Sequence, residues 1–163
     1  MGDGFDEIVA ALDVAMVVAT TAAGDDRNGC LVGFHSQCSI HPPRYAVWLS
    51  KANRTYRLAS RASHLAVHAL GDSDRDLAER FGGETGDHAD KLAGCEWAPG
   101  PGGVPVLAGC ASVVGRIVSI TDDECDHACF VIEPVAFAGE PPSAPLRLAS
   151  VVDVEAGHDV DDR

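Results

Sequence analysis

Between Asn28 and Gly71 the chain carries no Asp or Glu, although the whole sequence has 25 acidic residues against 12 basic ones. The same stretch holds Arg44, Lys51, Arg54, Arg57 and Arg61. Residues 50–63 read SKANRTYRLASRAS, with cations alternating with Ser, Asn and Thr. Ammonium and guanidinium groups supply charge, while hydroxyls and backbone N–H groups supply directed hydrogen bonds. Together they suit a bound anion. A solvated helix face with basic residues would give the same pattern.

A second group of reactive side chains lies near the other end. Cys125, Asp126, His127 and Cys129 crowd together, but no C-x-x-C pair is present. Cys125 and Cys129 alternate with apolar residues as in a strand, so no metal site is expected. Scattered cysteines in such a chain read as small core residues rather than disulfides. His127 is the histidine singled out for a site role. Its alternative is a structural histidine satisfied by Asp126 or a backbone carbonyl.

Composition narrows the function further. With 163 residues the chain fits one domain with a real core, and its formal net charge is −13. That charge argues against nucleic-acid binding, which needs a basic surface to release counterions. No apolar run approaches the roughly 20 residues of a membrane span. The opening MGDGFDE lacks a basic n-region, so a cytoplasmic protein is expected.

The elements that must position these groups follow from periodicity. Phe5, Ile8, Val9 and Leu12 have helical spacing over residues 5–13. Residues 15–22 and 30–40 read as two strands of a hairpin around the turn cluster 23–29. His41, Pro42 and Pro43 introduce a third strand, RYAVWLS. Asn53 caps a helix running through Ala62, and residues 64–70 form another strand. Ser73 or Asp74 caps a helix that Gly82 and Gly83 end. Residues 84–103 form a long loop in which Trp97 covers the site or anchors the loop, and Trp48 reads as core. Strands at 110–120 and 127–139 flank the acidic turn TDDECD, and Pro134 marks a bulge or edge. Tight turns between neighbouring strands imply antiparallel pairing. The expected fold is mainly β with peripheral helices: an antiparallel six-stranded barrel, closed or partly closed. No G-x-G-x-x-G follows a strand, which argues against a Rossmann unit.

Residues 29–59, GCLVGFHSQCSIHPPRYAVWLSKANRTYRLA, resemble the flavin-binding segment of the flavin reductase family, whose fold is the FMN-binding split barrel. The resemblance continues in residues 65–83, 86–110 and 126–139 and spans roughly residues 8–139. It rests on the ordered set rather than on one motif. It implies a flavin, FMN with FAD as alternative, at a homodimer interface, and NAD(P)H as hydride donor. The implied activity is an NAD(P)H-dependent FMN reductase that supplies reduced flavin to a monooxygenase partner or reduces a small substrate. By position, the polar strand at the flavin ring becomes His35, Ser36, Gln37, Cys38 and Ser39. The phosphate loop becomes Ser50, Lys51, Ala52, Asn53, Arg54 and Thr55. Arg80 and Phe81 face the ribityl or adenylate side, and His127 stands near the nicotinamide in a catalytic role.

Two departures from the family pattern stand out. Gly33, Phe34, His35, Ser36 and Gln37 replace Ser-Ser-Phe-Thr-Ser, and His41 replaces the Asp before the prolines. Each change bears on flavin potential, on which flavin-like molecule fits, or on affinity. A non-catalytic flavin carrier and a deazaflavin-dependent oxidoreductase remain as alternatives. The domain is taken as residues 1–149, followed by a flexible acidic tail over 150–163.

Overall fold

The computed structural model describes residues 2–83 and 90–154. Helix α1 covers Gly2–Leu12, and strands β1 (Val17–Ala23) and β2 (Asp26–Val32) form the expected hairpin, but the turn expected over 23–29 shrinks to two residues because residues 26–29 pair with β1. Its two-residue turn places Gly24 first, at φ +61°, a backbone shape that favours glycine. The strand expected over 30–40 is two strands. Gly33 and Phe34 break it, and β3 (His35–Ser39) runs on to pair with β4 (Arg44–Ser50). Pro42 and Pro43 lie in the turn between them rather than in extended backbone. Helix α2 (Arg54–Ala59), β5 (His64–Ala69) and α3 (Arg75–Gly83) follow.

The long loop expected at 84–103 is only partly irregular. Residues 84–89 lie outside the described residues, but β6 (Trp97–Pro99) pairs with β7 (Pro105–Leu107) as a small sheet. Alternation had no room to show in three-residue strands set among Gly and Pro. The last strands, β8 (Ala111–Thr121) and β9 (His127–Ala138), pair across the acidic turn. Their register shifts where Gly115 faces Pro134 and Val114 faces Ala136, so the bulge expected at Pro134 is present.

All pairings are antiparallel, and the main sheet has the order β2-β1-β5-β8-β9-β4-β3. It therefore holds seven strands rather than six, because the expected strand at 30–40 divides. Its two edge strands, β2 and β3, are consecutive in sequence and joined by Gly33 and Phe34 alone. Two residues cannot span an open sheet, so the sheet rolls until its edges meet. Val17, Ala19, Val32, Val47, Leu49, Leu65, Phe130 and Ile132 fill the interior. Val18, on the opposite face of β1, is equally buried, because α3, β7 and residues near the C-terminus cover that side. Val151 joins this outer cluster, and Arg75 pairs with Asp153 at 2.6 Å, so the first residues of the expected tail are placed; residues 155–163 lie outside the description. By contrast, Phe5, Ile8 and Leu12 of α1 are each about two-thirds exposed. The helical spacing of these residues is real, but nothing described covers the face they form.

Buried His68 ties the small sheet to the barrel. Its Nε2 accepts from the Leu107 backbone N–H at 3.0 Å, so Nδ1 carries the proton and donates to the Val18 carbonyl at 3.1 Å. Burial holds the imidazole neutral, lowering its pKa to about 4 despite the Val18 carbonyl. The unfolded chain takes up this proton near pH 6.5, whereas the folded chain resists until about 4. Stability is therefore full above pH 6.5 and falls as pH drops toward 4, by about 3 kcal/mol from this residue. Urea denaturation between pH 7 and pH 4.5 should show this slope, and His68→Gln should flatten it. An unchanged slope in the variant would contradict the assignment.

Candidate functional site

A cleft of about 950 Å³ opens where the barrel edges meet. One wall is the end of β2 and its corner, from Cys30 to Phe34. The other is the end of β4 and the following loop, from Trp48 to Asn53. Residues 124–126 of the β8–β9 turn and His127 at the start of β9, with Met16 and Leu148, complete it. The volume lies within the range of ligand pockets, which runs from about 300 to 1,000 Å³.

Local sequence explains the polar wall. Asn53 stands at the start of α2 in extended backbone, and its Oδ1 accepts from the Thr55 N–H at 3.0 Å. That cap ends β4 and turns residues 50–53 along the cleft. Lys51 is anchored twice. Its backbone N–H donates to the Asp126 carbonyl at 2.9 Å, and its ammonium pairs with Asp122 at 2.6 Å. The ammonium also donates to the Asp123 carbonyl, and the Tyr56 hydroxyl donates to Asp122. These two donors hold the Asp122 carboxyl below the usual range, and the Asp122 partner raises Lys51.

His127 reaches the cleft because β9 begins there, paired with Ser50 of β4. Its Nδ1 donates to Asp126 Oδ1 at 2.8 Å, a bond that lowers the Asp126 pKa. Nε2 makes no hydrogen bond among the described residues, so it is the ring nitrogen free to meet a ligand. The Phe34 ring lies 5.0 Å from the His127 ring, tilted by 54°. Phe34 is 55% exposed, an apolar ring presented at the cleft rather than buried.

The structure brings together five of the residues singled out from sequence: Ser50, Lys51, Ala52, Asn53 and His127. The others lie elsewhere. Ser36, Gln37 and Cys38 are exposed on edge strand β3 and, like His35 and Ser39, do not line the cleft. The His35 ring is satisfied within the chain: Nε2 donates to the Ala15 carbonyl at 2.7 Å, and Nδ1 accepts from the Tyr45 hydroxyl at 2.6 Å. Arg54 pairs with Asp26 at 3.7 Å, and Thr55 is fully buried. Phe81 is a core side chain whose ring crowds Gly29, and Arg80 packs against Gly94. Of the two roles expected for Trp97, covering the site or anchoring the loop, its position on the small sheet with Arg27 5.3 Å over its ring matches the anchor.

Sequence reasoning passed over Phe34 and Trp48 as cleft residues. Trp48 read as core, yet it is half-buried and lines the cleft. An aromatic just after the corner glycine was the signal available for Phe34. For the cysteines, Cys30 and Cys110 are buried while Cys38 and Cys125 are exposed. Burial pushes the Cys110 thiol up to about 11, which leaves it protonated and inert near neutrality. No group of three or more His, Cys, Asp or Glu suited to a metal occurs among the described residues. No described helix is long and apolar enough to cross a membrane.

A rolled antiparallel sheet with few helices and a seam cleft defines a split-barrel fold, and comparisons with known proteins agree. The flavin reductase domain protein of Arthrobacter sp. FB24 superposes with a TM-score of 0.78 at 24% identity, covering 90% of this chain and 89% of that one. The FMN-binding protein of Thermus thermophilus gives 0.72 at 23% identity, covering 78% and 71%. The model of the flavin reductase-like domain matches residues 11–150, so the chain belongs to that family. Among curated relatives, the reductase subunit HsaB of a flavin-dependent monooxygenase from Mycobacterium tuberculosis is 24% identical over 123 residues, covering 76% of this chain and 64% of its own length. The FMN reductase (NADH) RutF of Stutzerimonas stutzeri is 27% identical over 107 residues, covering 66% and 61%. The match thus spans 64% of the length of the first of these relatives and 61% of the second, and as little as 40% of others.

The Asn53 cap is local and testable. Asn53→Ala should lower stability by about 1 kcal/mol, the usual worth of such a cap, while Asn53→Asp should keep it. Urea denaturation of the three proteins measures this. Equal midpoints for wild type and Asn53→Ala would remove the cap from the account.

Proposed function

We propose that the seam cleft binds FMN and that the chain is an NAD(P)H-dependent flavin reductase. The observation that carries the reading is the meeting of residues 50–53, Phe34 and His127 in one cleft. The donor set fits a flavin phosphate and ring. Lys51, Asn53 and Ser50 supply cationic and polar groups, and Phe34, Trp48, Met16 and Leu148 supply apolar and aromatic surface. Family membership and the names of the relatives support the same choice.

Bound flavin would supply the hydride chemistry between nicotinamide and acceptor. The chain's part is to bind, orient and exclude water. Residues 50–53 hold the phosphate end by charge and hydrogen bonds. Phe34, Trp48 and Leu148 keep water from the reacting face, which strengthens every polar contact inside. His127, fixed at Nδ1 by Asp126, presents Nε2 to the donor or to charge developing on the ring.

The relatives that are monooxygenase or demethylase reductase subunits support a role in supplying reduced flavin to a partner enzyme. A homodimer belongs to the same reading. Edge strand β3 leaves Ile40 exposed beside it, and Phe34 stands exposed at the cleft, both surfaces a second copy would cover. We place the protein in the cytoplasm as part of this proposal.

The test is spectroscopic and kinetic. Purified protein should take up FMN with a change in the flavin absorbance bands and oxidise NADH or NADPH in its presence. His127→Ala should slow reduction of bound FMN about tenfold, the scale of one hydrogen bond made in the transition state, with FMN affinity nearly unchanged. Unchanged reduction rates and donor affinity, measured by stopped flow, would remove His127 from the reaction. Failure to oxidise either nicotinamide with any flavin would leave a carrier or a deazaflavin enzyme.

A further inference from the structure

Among the described residues that line the cleft, Lys51 is the one Lys or Arg. Its ammonium is already engaged, with the Asp122 carboxylate at 2.6 Å and with the Asp123 carbonyl. Asp122 also accepts from the Tyr56 hydroxyl, so one carboxylate clamps the loop after β4 and helix α2 to the β8–β9 turn. The clamp is open to solvent, with the Lys51 side chain 28% exposed and that of Asp122 40%. Asp123 and Glu124 sit on the same turn, but among the described residues Asp122 is the carboxylate that pairs with Lys51.

Carboxylate and phosphate are both oxyanions that accept from an ammonium, so they compete for it. A phosphate arriving at Lys51 must displace Asp122 or settle beside its negative charge. Either outcome lowers the affinity for the phosphorylated ligand. We propose that Asp122 is an internal competitor for the flavin phosphate: it holds Lys51 and thereby sets how strongly the protein prefers FMN over riboflavin. The inference rests on the flavin reading of the cleft. Asp122 is a specificity residue that acts through Lys51, not a group that touches the flavin ring. The residue that keeps the loop ordered is also the one that limits its grip on phosphate.

The test is calorimetric titration of FMN and of riboflavin into wild type, Asp122→Asn, Asp123→Asn and the double variant Asp122→Asn/Lys51→Gln. Asp122→Asn should bind FMN about fivefold tighter, the scale of one half-exposed charge pair, with riboflavin unchanged. Asp123→Asn removes the same charge from the same turn but leaves the Lys51 pair, so it should show no gain. The double variant should lose the gain, because the competition needs the ammonium. Asp122→Ser repeats the experiment should the amide disturb the turn. Equal shifts for FMN and riboflavin, an equal gain in Asp123→Asn, or a gain that survives without Lys51 would each overturn the proposal. Wild type that binds both flavins with a ratio unmoved by Asp122→Asn sinks this inference alone. Wild type that binds neither flavin sinks the flavin reading, and this inference with it.

Discussion

The two-residue link between β2 and β3 is the constraint on which the rest of the structure depends. Those strands are the opposite edges of the main sheet, and Gly33 and Phe34 must join them. The sheet can satisfy this only by rolling up. Closure buries an interior of Val17, Val47, Leu65, Phe130 and Ile132. It also leaves a seam that ladder hydrogen bonds do not fill. The Trp48 backbone N–H bonds the Phe34 carbonyl at 2.9 Å, which stitches the corner to β4 beside that seam. The cleft lies there because the chain turns there, and Phe34 is presented in it because it is the corner residue.

Charge organises the same region. The stretch without carboxylates finds counter-ions far along the chain: Asp26 at the start of β2 meets Arg54 and Arg61, Glu133 of β9 meets Arg44, and Asp122 of the β8–β9 turn meets Lys51. Its cations therefore hold the start of β2, strand β9 and the β8–β9 turn in place around the barrel, and Lys51 alone among them lines the cleft. Each such half-exposed pair contributes little stability alone, about 0–1 kcal/mol. Their larger effect is positional, since the β8–β9 turn carries Asp126 and leads into His127. The cleft wall and the turn thus share one lysine, Lys51.

Local signals made much of the fold legible in the sequence. Gly24 in its hairpin, Asn53 as a cap, and Pro134 at a bulge each act within a few residues, and each is found where its chemistry predicts. The break at Gly33 and Phe34 was not legible, because a β-rich run looks the same whether or not it turns a corner. The small β6–β7 sheet escaped because Pro99, Pro105 and the intervening glycines read as loop. Helix α1 shows the opposite case: its apolar spacing is plain, but spacing cannot say whether anything covers Phe5, Ile8 and Leu12. Of the candidate site, residues 50–53 were reached through charge pattern and resemblance together, His127 through resemblance, and they converge in the cleft. Asp122 was hidden in an acidic turn, and only the β4–β9 pairing brings that turn to the loop.

The central claim is that a flavin occupies the seam cleft. The most direct measurement is a two-dimensional amide NMR titration of the full chain with FMN, with the Trp indole signals included. The account predicts the largest shifts at Gly33, Phe34, the Trp48 indole, residues 50–53 and His127, with the Trp97 indole on the small sheet nearly still. Shifts concentrated on β6 and β7, or spread evenly over the surface, would contradict it.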